Sequence, residues 1–226
     1  MMLKPRKKLT KKEIKQDKFV KLALEAKSFV DENYKQVVGT TLAVFGLFVI
    51  IMIYVYVHNQ NVEEATTLLG KAQLEFQALN YDLSKDYLNQ LTSDYSGTDA
   101  ADQGRFLLAN IYFEENNITY AKKMYKEFID SYSKSSILLA SGYAGYASCL
   151  EREKNYDEAA SFYIKAQKKS PEFIEAASYL FLAGKCYTSA GKIDKAKEVF
   201  EKITMDYKDY DQSDDAKAEL IFLTKK

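Results

Sequence analysis

The stretch LANIYFEENNITYAKKMYKEF, residues 108–128, returns in altered form as YASCLEREKNYDEAASFYIKA, residues 146–166, and as AGKCYTSAGKIDKAKEVFEKI, residues 183–203. Laid over one another, the copies put Tyr112, Leu150 and Tyr187 in one column and Ala121, Ala159 and Ala196 in a second. Tyr125, Tyr163 and Phe200 share a third, and Phe128, Ala166 and Ile203 a fourth. Corresponding positions lie 38 and then 37 residues apart. Within each copy, small and apolar residues recur at helical spacing on either side of a short polar turn: NNIT, KNYD or GKID. That is the pattern of a helix–turn–helix unit repeated along the chain.

The order of residue types, large, small and aromatic on the first helix, then small, aromatic and apolar on the second, resembles the tetratricopeptide repeat. The small residues let the helices approach closely and the aromatics fill the space around them. The period exceeds the usual ~34 residues, which predicts longer second helices or longer turns between repeats. A weaker copy precedes the three, carried by Leu68, Ala72, Ser84, Leu88 and Leu91, and Asp214–Leu223 reads as a closing helix capped by Ser213. Only two prolines and nine thinly spread glycines in 226 residues argue against a turn-dense β architecture. The expected fold is all-α: an N-terminal amphipathic helix and a single transmembrane helix, then a tetratricopeptide-like α-solenoid of about four helix pairs plus a capping helix.

Upstream of the repeats, VVGTTLAVFGLFVIIMIYVYV runs from Val37 to Val57 without one charge. As a helix it would be ~31 Å long, the thickness of a bilayer's hydrocarbon core. Tyr34 precedes it and Tyr54 and Tyr56 close it, as interfacial aromatics do. The long preceding segment and the bulky residues at its end suit an uncleaved signal anchor rather than a cleaved signal peptide. The formal net charge of zero conceals an asymmetry: residues 1–36 hold 11 Lys/Arg against 5 Asp/Glu, and the remainder 21 against 27. The first basic residue after the span is Lys71. The positive-inside rule then sets residues 1–36 in the cytoplasm, residues 37–57 in the membrane and residues 58–226 outside. Gly39, Ala43 and Gly46 fall near one face of the span, where small residues would admit a second helix.

Residues 1–12 are basic and read as disordered, with Thr10 and Glu13 forming a capping box that starts a helix near Lys11. Phe19, Leu22, Ala23, Ala26, Phe29 and Val30 then recur at helical spacing opposite lysines. Such a helix suits the anionic inner leaflet, a partner protein, or a plain solvated role in setting topology.

A basic tail, one anchor and about 160 residues of tetratricopeptide-like repeats together resemble the YfgM-type family, ancillary subunits of the SecYEG translocon. The resemblance implies a bacterial inner-membrane protein that presents its repeats to the periplasm, with translocon subunits, exported proteins or periplasmic chaperones as partners. The residues themselves favour binding over catalysis. The single histidine, His58, sits at the membrane edge, and the sequence carries no nucleophile motif, metal-ligand pattern or phosphate loop. No enzyme, cofactor, metal or nucleic acid is expected. A scaffold for envelope assembly or division, and a signalling protein whose tail sequesters a regulator, stand as alternatives.

In the tetratricopeptide register the first helices line a groove, at Phe106, Asn110 and Phe113, then Ala144 and Ser148, then Phe181 and Lys185. The three phenylalanines either anchor a peptide there or pack between helices. The basic and Asn-rich clamp for a C-terminal carboxylate is not reproduced. Cys149 and Cys186 occupy the same position in successive repeats. Equivalent positions on stacked helices sit too far apart for a bond that needs Cα atoms within ~7 Å, so two buried thiols are expected.

Overall fold

The computed structural model describes residues 11–225, with side-chain surroundings from residue 18 onward. The basic residues before Lys11 and the Thr10 cap lie outside the described residues. The chain divides into two compact units, residues 1–58 and 59–226.

In the first unit, α1 (Lys11–Glu32) is followed by α2 (Tyr34–Gln77), whose N-terminal part belongs to this unit. The two helices are separated at Asn33, whose side-chain amide donates to the Phe29 carbonyl at 3.0 Å. Backbone bonds Asn33 N–Phe29 O and Val37 N–Asn33 O carry helical pairing across the junction. Only Asn33 interrupts the helical run between the two helices. Phe19, Leu22, Phe29 and Val30 on α1 are exposed, as are the large apolar side chains from Leu42 to Val57 on α2.

The second unit is a stack of helix pairs. The end of α2 pairs with α3 (Tyr81–Asp94), α4 (Asp99–Glu114) with α5 (Ile118–Ser131), and α6 (Ser136–Arg152) with α7 (Tyr156–Lys169). α8 (Ala176–Ser189) pairs with α9 (Ile193–Asp206), and α10 (Asp211–Thr224) closes the stack. From α3 onward consecutive helices pack together, and α4 also meets α6 as α8 meets α10; the end of α2 shares a buried cluster with α3 and α4. Four pairs and a capping helix are what the repeat register predicts.

The extra length of the repeat does not lengthen the second helices, since α5, α7 and α9 each have 14 residues. It falls in the first helices α4 and α6, of 16 and 17 residues, and in the connections between pairs, residues 132–135 and 170–175.

Each pair turns through one residue in the left-handed region: Leu79, Asn116, Lys154 and Gly191, at φ of 61°, 58°, 63° and 74°. In every turn the next backbone N–H reaches back to the last turn of the first helix: Asn80 to Glu75, Asn117 to Tyr112, Asn155 to Leu150 and Lys192 to Tyr187. This closes carbonyls that a helix end leaves orphaned. The weak copy obeys the same geometry as the strong ones, although Leu79 is a poor residue for it.

The core runs along the stack where the aligned columns meet. Ala121, Ala159 and Ala196 are fully buried, and Tyr125, Phe128, Tyr163, Phe200 and Ile203 are buried beside them. In the weak copy Ser84 takes the alanine position and satisfies its hydroxyl by donating to the Ala72 carbonyl at 2.8 Å. Glycines mark the closest crossings. A Cβ on Gly142 would lie 2.5 Å from Phe128 Cε1, and one on Gly184 2.5 Å from Phe200 Cε1. Lys–Glu pairs tie successive turns together at equivalent positions, Lys85 to Glu115 at 2.6 Å and Lys122 to Glu153 at 2.7 Å. The next copy puts Ala160 and Ala190 there, and Asp157 pairs instead with Lys192.

The closing helix differs from expectation in its start. It begins at Asp211 after Tyr210, and Ser213 lies inside it, buried, with its hydroxyl unpaired. Ser213 is thus a small core residue and no cap.

Candidate protein-binding site

The seven groove positions lie on the first helices α4, α6 and α8, but the fold gives most of them internal partners. The Phe106 ring packs against Tyr125 and Phe128, with centroids 5.9 and 5.2 Å away. Phe181 packs against Phe200 at 5.7 Å. Ala144 is half-buried against the neighbouring core. Asn110 accepts a hydrogen bond from the Tyr125 hydroxyl at 2.6 Å. Ser148 holds the same place one repeat on, its hydroxyl 2.9 Å from that of Tyr163. Lys185, in the third copy, faces no tyrosine because Phe200 stands there, and its ammonium meets Glu219 on α10 at 2.8 Å.

Two of the seven, Phe113 and Ser148, line one cleft of about 510 Å³ together with Glu151, Arg152, Lys154, Tyr156, Tyr163 and Leu182. Four helices and a turn supply these residues. Ser148 and Arg152 sit four residues apart on one face of α6. Lys154 is on the left-handed turn that follows, Tyr156 and Tyr163 are on α7, Phe113 is in the last turn of α4, and Leu182 comes from α8. The volume falls within the ~300–1,000 Å³ usual for ligand sites.

The charges in this cleft are unequally engaged. Tyr163, almost wholly buried, donates from its hydroxyl to Glu151 Oε2 at 3.0 Å, and burial first of all pushes its phenol above the ordinary value. The Arg152 guanidinium lies over the Phe113 ring, 5.4 Å from its centroid. Among the described residues neither Arg152 nor Lys154 meets a carboxylate within ion-pair distance, although Glu153 between them holds Lys122.

Arg152, Lys154 and Leu182 line the cleft without being groove positions of the repeat register. The spacing Ser148–Arg152 was the available signal, but only the approach of α4 brings Phe113 beneath that guanidinium.

Cys149 and Cys186 are both buried and free. Burial is the main cause that pushes each thiol from 9.0 up to about 12, with Glu153 adding to the effect at Cys149 and Glu151 at Cys186. Such thiols are protonated and inert at neutral pH. Among the described residues no three His, Cys, Asp or Glu side chains gather as a metal site would require.

On α2, a Cβ on Gly39 or Gly46 would meet nothing within 4 Å, and Ala43 is exposed. Tyr54 stacks on His58 with centroids 6.0 Å apart.

Similar proteins agree with this architecture. A tetratricopeptide repeat protein from Parabacteroides merdae superposes with a TM-score of 0.60 at 17% identity, covering 73% of this chain and 60% of its own. The present chain thus spans less than two thirds of that protein. Nearly identical tetratricopeptide-like repeats assigned to a kinesin light chain of Podosopora anserina give 0.56 at 13% identity, covering 72% of this chain and 86% of that one. A Rap protein complexed with competence and sporulation factor gives 0.52 at 20% identity, covering 68% of this chain and 45% of that one. At such identities the likeness concerns the fold alone. No functionally curated protein matches the sequence. The tetratricopeptide repeat-like domain family matches residues 27–218, and no catalytic family is indicated. With that match over most of its length, this helical stack belongs to the tetratricopeptide repeat-like domain family, whose fold is that of a protein-binding adaptor.

Proposed function

We propose that the chain is a membrane-anchored adaptor of the bacterial envelope. In this reading residues 1–36 form a cytoplasmic tail, residues 37–57 cross the inner membrane, and residues 58–226 present the repeats in the periplasm beside the Sec translocon. There they receive exported proteins or their chaperones. The observation that carries the reading is the state of α2. It is the one helix among the described residues long and apolar enough to cross a membrane, and none of its most apolar stretch is buried by protein. A run of exposed Leu, Ile, Val and Phe side chains would cost about 1.5–3 kcal/mol each if left in water, so a lipid environment is its physical counterpart.

Three further features support the details. The excess of Lys and Arg before the span and their absence until Lys71 favour a cytoplasmic N-terminus. The family match begins at residue 27 and so includes the apolar stretch with the repeats, which fits an inherited anchor–repeat architecture like that of the YfgM-type translocon subunits. The open small-residue face of Gly39, Ala43 and Gly46 would suit a neighbouring membrane helix.

Affinity purification from gently solubilised native membranes tests the proposal. Translocon subunits in near-stoichiometric yield, lost when Gly39, Ala43 and Gly46 are replaced by Leu, are the expected result. Recovery of envelope-assembly or division proteins without translocon subunits would overturn the translocon association in favour of a scaffold.

A further inference from the structure

We infer that the cleft between α4, α6, α7 and α8 binds an acidic side chain, Asp or Glu, carried within an extended apolar segment of a client protein. This rests on the adaptor reading and names the chemistry that its repeats would recognise.

Charge is the first argument. The portion of the chain from residue 37 onward carries 21 basic and 27 acidic residues, and although other cations such as Lys165 and Lys197 also lack an ion pair among the described residues, Arg152 and Lys154 are set apart by sharing one cleft. Many cations of the repeat domain have an acid beside them: Lys85 with Glu115, Lys122 with Glu153, Lys126 with Asp130, Lys185 with Glu219, Lys192 with Asp157. Arg152 and Lys154 line the same cleft and have none among the described residues. The one acid in the lining, Glu151, accepts from the Tyr163 hydroxyl at 3.0 Å and keeps its charge, so the lining sets two cations against one carboxylate.

Placement is the second argument. Arg152 is held on the Phe113 ring at 5.4 Å, which orients the guanidinium without using its N–H groups for an ion pair. A planar fork of free donors on an aromatic plate is suited to a carboxylate. Lys154 is carried on a turn whose backbone is fixed by bonds to Glu151 and from Asn155 to Leu150. The remaining lining at Phe113, Tyr156 and the exposed Leu182 is apolar or aromatic, and matches apolar residues flanking the acid. The supporting shell is built as well. Ser148, Tyr163 and Glu151 form a hydrogen-bonded chain along the cleft wall.

The test uses the full chain in nanodiscs and a fluorescent peptide blocked at both ends, with one glutamate between two leucines. Anisotropy should show binding about tenfold tighter than for the glutamine counterpart, the weight of one charge-assisted hydrogen bond, and the difference should shrink with added salt. Arg152→Gln should abolish the glutamate preference and Arg152→Lys should retain part of it, while circular dichroism verifies that both remain helical. Equal affinity for the two peptides, or no binding of the glutamate peptide at millimolar concentration, overturns the inference. Preference for a glutamine peptide with a free C-terminus would also overturn it, in favour of a terminal carboxylate. Translocon recovery from membranes is read separately on the wild-type chain: absence of a glutamate preference with translocon subunits still recovered overturns the cleft alone, so failure of the cleft and failure of the adaptor reading are separately visible.

Discussion

Gly184→Ala is the substitution on which the sequence alignment and the structure disagree. The aligned repeats carry Ala109 and Ala147 at this position, so the alignment alone predicts a harmless change. The structure puts the added Cβ 2.5, 2.6 and 3.0 Å from Cε1, Cζ and Cδ1 of Phe200. Ordinary carbon contacts lie near 3.5–4.0 Å, so the ring would have to retreat by about 1 Å. It has little room, because Phe200 is fully buried and Phe181 stands 5.7 Å from its centroid. Overpacking of this kind costs about 1–3 kcal/mol, and replacing a mid-helix glycine returns about 1 kcal/mol. The expected net loss is about 0–2 kcal/mol, centred near 1, and a loss of about 1 kcal/mol lowers the urea midpoint by roughly 0.3–1 M for slopes of ~1–3 kcal/mol/M. Residues 59–226 hold all the buried clusters described, so this fragment suits the assay. Gly70→Ala is the control: it sits mid-helix in α2 with nothing within 4 Å of its Cβ, and should gain about 1 kcal/mol. Adding Phe200→Leu to Gly184→Ala should cost less than the sum of the two changes, since the clash is relieved. A Gly184→Ala midpoint raised above wild type as far as that of Gly70→Ala would refute the close-crossing argument.

Leu79→Gly should stabilise the repeat unit by about 0.5 kcal/mol, because a left-handed non-glycine costs ~1–2 kcal/mol and glycine's extra unfolded entropy returns ~0.5–1. Leu79 is 72% exposed, so little packing is lost; a lower melting temperature would contradict this. For Lys122 and Glu153, a double-mutant cycle to alanine should give a coupling of about 0.2–1 kcal/mol that fades in high salt. A coupling unchanged at about 1 M salt, where screening acts over ~3 Å, would show that the pair is not acting through charge. The thiols predict an alkaline transition: raised from 9.0 to about 12, they add stability that is complete below pH 9 and is lost as pH rises toward 12. Denaturation midpoints should therefore fall over that window, and fall less steeply in the Cys149→Ala, Cys186→Ala double variant. The same two residues should resist iodoacetamide at mildly alkaline pH until urea unfolds the chain, and rapid labelling of the native protein would contradict their burial.

The repeat was legible in the sequence because its determinants are local and periodic. Ala121, Ala159 and Ala196 had to be small for helices to cross, and the polar turns fall at fixed offsets, so the aligned columns are enough to reveal the helix pairs. The charge-free run on α2 is equally local: its length and composition alone set a helix that protein does not cover. What the sequence could not decide depends on which residues meet across repeats. Asn110 and Ser148 read as groove residues, yet each is tied to a tyrosine 15 positions ahead, while Lys185 turns to Glu219 because Phe200 offers no hydroxyl. Ser213 reads as a cap and is a core residue, since the helix starts three residues earlier than expected and turns it inward. The Arg152–Phe113 pairing depends on the approach of α4 and α6, a contact between residues far apart in sequence. Periodicity fixes which face of a helix is apolar. Only the packing of helix on helix decides which polar group on that face is consumed within the fold and which is left for a partner.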